Sequence, residues 1–199
     1  MKRMLLSLAF LGLVGCSSPP AYHYTLSAPS SQAVASTTQP VGPYALGAVT
    51  VPSEVDSASL VTLEPNGRLL LLSDDRWTAP LSSHLQTALG LELTAQLGMP
   101  PLQNINQFDT QSNVTKILID VQRFDLVPGQ YVALDAVWRF RTAGSHKVLT
   151  CFSRFRQTVD VGVTALVLGQ QKNTKLLAAQ IAQALGSDSA PSDSKCTRT

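Results

Sequence analysis

Few side chains in this sequence are spaced for chemistry. The histidines are His23, His84 and His146, far apart and without an HExxH pair, so no metal site is expected from them. No GxSxG elbow, P-loop or GxGxxG run occurs, and a Ser-His-Asp triad has nothing here to raise it above background. Cys151 and Cys196 match no zinc or CxxC spacing. No catalytic residue, metal ligand or cofactor is therefore expected, and the chain is read as a non-enzyme. The residue best placed for a covalent reaction is the third cysteine, Cys16, which follows Leu13-Val14-Gly15.

Lys2 and Arg3 precede a mostly apolar run, Met4 to Val14. Such a run is about half the roughly 20 residues that a membrane span needs, so it reads as a secretory signal. Its ending resembles the lipobox of bacterial lipoproteins. There the thiol of Cys16 takes a diacylglycerol, and cleavage falls between Gly15 and Cys16. An ordinary signal site wants a small-x-small ending, which Leu13-Val14-Gly15 lacks. Ser17, rather than Asp, follows the cysteine. By resemblance to the enterobacterial sorting rule, this directs the lipid anchor to the outer membrane with the body in the periplasm. Several buried acyl chains bind stably.

Removal of residues 1–15 leaves 184 of the 199 residues, enough for one domain with a sizeable core. The formal net charge of +2 rests on Lys2 and Arg3; without them, 13 basic side chains meet 13 acidic ones. This balance argues against a nucleic-acid partner and against a polybasic membrane surface. An oxidising compartment permits a Cys151–Cys196 bridge. Cys151 nonetheless alternates with Leu149 and Phe155, and it is expected as a core residue rather than an obligate disulfide partner.

The elements follow from periodicity. Residues 16–43 are rich in Ser, Pro, Ala and Thr and read as a lipidated N-terminus and flexible tether. One island, Tyr22-His23-Tyr24-Thr25-Leu26, alternates and suggests a short docking strand. The folded domain is placed at 44–186. Ala45 to Val51 reads as a strand, and Leu60–Leu63 and Arg68–Leu72 as a hairpin around Glu64-Pro65-Asn66-Gly67. A first helix is read from Trp77 to Leu97, with Leu81, Leu85, Leu89, Leu93 and Leu97 as its stripe. A second runs from Val163 to Leu185 and is stopped by Gly186. Residues 187–199 are polar and expected to be disordered.

Between the helices, three alternating runs are joined at Pro128-Gly129 and Gly144-Ser145. These turns pair Trp138 with both Ile119 and Cys151, and Phe140 with both Ile117 and Leu149. A one-residue slip would break every apolar pair. The opposite face then carries Gln122, Asp135 and Arg154 abreast, with Arg139, Arg141 and Arg156 nearby. The plain reading of Asp135 and Arg154 is a cross-strand ion pair on a solvated face. The fold expected is α+β: an antiparallel meander sheet with two amphipathic helices packed on one face.

Several of these segments together resemble one family. They are the lipobox, Tyr22-x-Tyr24-x-Leu26, Val49-Thr50-Val51-Pro52, Arg76-Trp77-Thr78-Ala79-Pro80-Leu81, Val121-Gln122-Arg123-Phe124 and Ala136-Val137-Trp138. Over about residues 20–186 the chain resembles the ABC-type transport auxiliary lipoproteins, of the PqiC/YmbA-like kind. The resemblance implies an outer-membrane lipoprotein that docks an MCE-domain protein (PqiB-like) and supports lipid transport between the two membranes. It also fits a homo-oligomeric ring matched to a ring-shaped partner. It carries over no catalytic residue and assigns no partner-binding residue. The alternative is an assembly or plug lipoprotein acting with an outer-membrane barrel. The long 27–42 linker and the tail with Cys196 depart from the family pattern.

Overall fold

The computed structural model describes residues 20–27, 41–102, 114–141, 147–187, 191 and 194–199. Gly15, Cys16, His146 and the Gly144-Ser145 turn lie outside the described residues. The architecture is α+β. Strand β1 is Tyr22–Tyr24, β2 Tyr44–Thr50, β3 Ser59–Leu63 and β4 Leu69–Trp77. Helix α1 spans Leu81–Leu97. Strands β5 (Thr115–Val127), β6 (Tyr131–Arg141) and β7 (Val148–Thr158) lead to helix α2, Val163–Ser187, and strand β8 is Lys195–Arg198.

The large sheet has the order β2-β5-β6-β7-β8, and a smaller one the order β1-β4-β3. The antiparallel meander β5-β6-β7 is the centre of the large sheet. Strand β2 extends it in parallel, since its chain returns to β5 only after crossing β3, β4 and α1. Both helices lie on the face that carries Ile117, Trp138 and Cys151, and the core fills the space between. The α1 stripe is buried at Leu81, Leu85, Leu89 and Leu93, and Gly98 closes the helix in the left-handed conformation (φ 70°).

Three expectations are corrected, on the first helix's start, the tail and the cysteines. Trp77 ends β4 and does not begin the helix; Pro80 stands at the N-cap instead, and a proline is tolerated only at a helix start. The tail is not structureless throughout: Lys195–Arg198 pairs with β7, placing Cys196 opposite Cys151. Those two cysteines form a disulfide, so Cys151 is at once a core residue and half of a bridge. The docking strand expected at Tyr22–Leu26 is present. β1 pairs in parallel with β4 at Tyr22↔Asp75 and Tyr24↔Trp77, and Leu26 is fully buried.

The register agrees with the sequence pairing at its apolar positions: Ile117↔Phe140, Ile119↔Trp138, Trp138↔Cys151 and Phe140↔Leu149. Its origin on the β5 side differs. The turn pairs Val127 with Tyr131, leaving three residues in the loop, with Gln130 N–H donating to Val127 O at 3.1 Å and Gly129 at φ 68°. That register is one residue off the expected one. A bulge between Val121 and Arg123 absorbs the difference.

Candidate docking surface

Gln122 is the extra residue of that bulge, so it does not stand beside Asp135. Arg123 does. The bulge thereby delivers a guanidinium, instead of an amide, to the face of the sheet away from the helices. Arg123 Nε donates to Asp125 Oδ2 at 2.6 Å, and its Nη2 donates to the Tyr131 hydroxyl at 3.1 Å. Hydrogen bonding to Asp125 holds the Arg123 pKa above the ordinary arginine value. Arg156 lies over the Tyr131 ring, 3.7 Å from its centroid, and Arg154 over Phe152 at 5.3 Å. Arg154 Nε donates to Asp135 Oδ2 at 3.3 Å, which bears out the expected cross-strand pair. Asp135 itself is buried beneath these side chains, and its Oδ1 has no hydrogen-bond partner.

Alternation along β5, β6, β7 and β8 adds Lys116, Arg139, Arg141 and Lys195 to the same face. The carboxylates there are Asp120, Asp125 and Asp135. A chain with 15 basic and 13 acidic side chains thus gathers a basic, aromatic-stacked face on one side of its sheet. Stacked guanidinium groups over Tyr and Phe rings are the chemistry of protein interfaces, where aromatic residues and Arg are enriched. Such an arrangement suits acidic groups and flat apolar surface. Among the described residues, no three His, Cys, Asp or Glu side chains come together as a metal site, and no helix is long and apolar enough to cross a membrane.

The far face is held rigid by polar groups that periodicity did not mark. Trp138 Nε1 donates to Ser153 Oγ at 2.8 Å, and Ser153 Oγ donates to Gln180 Oε1 at 2.5 Å. Gln170 is fully buried, and its amide donates to the carbonyls of Asp125 and Ala133, both at 3.0 Å. Gln157 reaches Asn173, and Asn173 donates to Gln170 Oε1 at 3.0 Å. These bonds pin α2 to the strands that carry Arg123, Tyr131 and Arg154 on their other side. Gly169 allows the close approach: a Cβ there would stand 2.6 Å from a Val132 methyl.

The N-terminal segment is clamped from three elements. The Tyr24 hydroxyl donates to Asp75 Oδ1 at 2.7 Å, and that bond pushes the Tyr24 pKa up to about 12. Gln171 of α2 donates to Thr25 O at 2.7 Å. His84 of α1 accepts the Leu26 N–H on Nε2 at 2.8 Å, with Thr78 Oγ1 3.1 Å from Nδ1. His84 is therefore a buried structural histidine, stacked on Trp77 with ring centroids 5.5 Å apart, while His23 is exposed on β1.

Comparison with known proteins places this architecture. A family model described as the ABC-type transport auxiliary lipoprotein component matches residues 24–182. The chain belongs to this family. Its match starts at Tyr24, the last residue of β1, and ends in α2. Among solved structures, an uncharacterized protein superposes with a TM-score of 0.65 at 16% identity, covering 84% of this chain and 99% of the other. Protein XCC0632 from Xanthomonas campestris, of the DUF330 family, superposes with a TM-score of 0.63 at 13% identity, covering 82% and 95%. At these identities the two structures establish the fold. No curated protein matches the sequence. As an auxiliary lipoprotein of transport systems, the chain is a membrane-anchored periplasmic component with protein partners.

Proposed function

We propose that this auxiliary lipoprotein is anchored through Cys16 in the outer membrane, docks an MCE protein, and so supports lipid transport between the inner and outer membranes. It works by binding and not by catalysis. The observation that carries this reading is the basic, aromatic-stacked face of the large sheet, gathered in a chain whose basic and acidic side chains nearly balance. Buried polar bonds to α2 hold that face in shape before any partner arrives, which lowers the ordering cost of docking. The Leu13-Val14-Gly15-Cys16 motif followed by Ser17 supports the outer-membrane anchor. A ring-shaped partner would be met by a ring of lipoprotein copies. Each copy would then repeat the same contact, and weak contacts would add through multivalency. Crosslinking in cells followed by pull-down of the tagged chain tests the reading. Recovery of an MCE protein is the expected result. Recovery of an outer-membrane barrel alone would replace it with the assembly-factor alternative.

A further inference from the structure

The smaller sheet ends in a ribbon that the core does not cover. Leu69, Leu70 and Leu71 are consecutive on β4, and they are 42%, 48% and 58% exposed. Successive strand residues point to opposite faces, so the ribbon is apolar on both sides. β3 pairs with β4 here at Leu63↔Leu69, Thr62↔Leu70 and Val61↔Leu71, but β1 reaches only Asp75 to Trp77. At the tip, Arg68 Nε lies 2.8 Å from Glu64 Oε2, so the turn's two charges neutralise each other.

The direction of β1 says what covers this ribbon. β1 runs parallel to β4, so the chain before Tyr22 leaves the sheet on the same side as the chain before Asp75, which is the side of Leu71, Leu70 and Leu69. Cys16 precedes Tyr22 by six residues, and Leu69 precedes Asp75 by six. Six residues of extended chain span at most about 20 Å. A lipid on Cys16 therefore enters a membrane within reach of the leucines, at their own end of the sheet. Pro20 has no N–H to continue the ladder along β4 beyond the pair Tyr22↔Asp75.

We infer that Leu69–Leu71 form a second membrane contact, seated at the headgroup–acyl boundary of the phospholipid leaflet that holds the Cys16 acyl chains. The inference rests on the anchor reading above. It gives the domain a fixed orientation: the β3–β4 tip faces the membrane, and the N-terminal clamp at His84, Gln171 and Asp75 holds the domain to its anchor. Exposed apolar ribbons of this kind mark a membrane or protein contact.

The test uses the full-length lipidated protein carrying Leu70→Trp, in vesicles of phosphatidylethanolamine and phosphatidylglycerol with plain or brominated acyl chains. The native Trp77 and Trp138 are buried in the protein, so the unsubstituted chain supplies the background. The expected result is a loss of emission from the introduced indole in brominated vesicles, absent from the unsubstituted chain, and the same loss for Leu71→Trp. Flotation with the vesicles but no loss in either variant overturns the membrane contact and leaves the anchor standing. An indole shielded from aqueous acrylamide yet not quenched by bromine overturns it too, in favour of a protein partner or a second copy. Failure to float removes the anchor and the inference together.

Discussion

His84 couples the N-terminal segment to pH. Burial pushes its pKa below the ordinary 6.5, because the cationic ring would lose water and Nε2 could no longer accept the Leu26 N–H. The unfolded chain binds that proton more readily than the folded one. Stability is therefore complete above the unfolded value of 6.5 and falls as pH drops through 6.5 toward the lower folded value. The slope for one such group is at most about 1.4 kcal/mol per pH unit. Thermal melts between about pH 7.5 and pH 5.5 should show a falling midpoint, and His84→Gln should flatten it, since carboxylates titrate mainly lower. Trp138 tests the core: it is fully buried, stacks on Phe140 and donates to Ser153, so Trp138→Ala should cost about 3–5 kcal/mol by denaturant melts. Neighbouring residues show what a sequence can reveal. Trp138 was legible as core because it alternates with Ala136 and Phe140. Arg123 was not legible as the neighbour of Asp135, because a bulge carries no mark in local periodicity. Gln170 and Asn173 were equally hidden, because a buried amide is recognised only by the carbonyls and side chains that it meets.

At the scale of elements, alternation and turn chemistry placed the strands well. The β3–β4 turn closes as Glu64-Pro65-Asn66-Gly67 suggests, with Gly67 N–H donating to Glu64 O at 2.9 Å. Long-range partnership was the part that local pattern could not supply. Parallel pairing of β1 with β4 and of β2 with β5 joins segments separated by a helix or a linker, and neither strand signals its partner. Strand β8 is the sharpest case. Four residues, Lys-Cys-Thr-Arg, have no apolar period, and tertiary pairing with β7 and the Cys151–Cys196 bridge make them a strand. The bridge closes a loop with a sequence separation of 45, so Cys196→Ser should destabilise the domain by about 2–4 kcal/mol under non-reducing conditions. Reducing agent should lower the stability of the unsubstituted chain by the same amount and leave the variant unchanged. Equal melts of the two proteins without reductant would show that β8 contributes nothing.

For the whole molecule, composition and arrangement tell different stories. Outside Lys2 and Arg3, equal numbers of basic and acidic side chains suggested a surface without a charged face. The sheet segregates them, bringing Arg123, Arg139, Arg141, Arg154 and Arg156 to one side. Composition is a sum over the chain, and only pairing register decides which charges become neighbours. The docked island shortens the spacer that composition alone implied: with β1 paired to β4, five residues, 17–21, separate Cys16 from the folded domain. On the proposed reading, a domain held that close to a Cys16 anchor meets its periplasmic partner at the membrane surface, with its basic face as the docking surface. The most direct measurement is in-cell crosslinking and pull-down, comparing the tagged chain with its Arg139→Glu/Arg156→Glu variant at equal abundance and equal thermal midpoint. The account predicts that the unsubstituted chain recovers an MCE protein and that the double charge reversal loses most of it, because reversed charges on an exposed face impair docking without disturbing the core. Equal recovery by both proteins, or recovery of an outer-membrane barrel in place of an MCE protein, would contradict it.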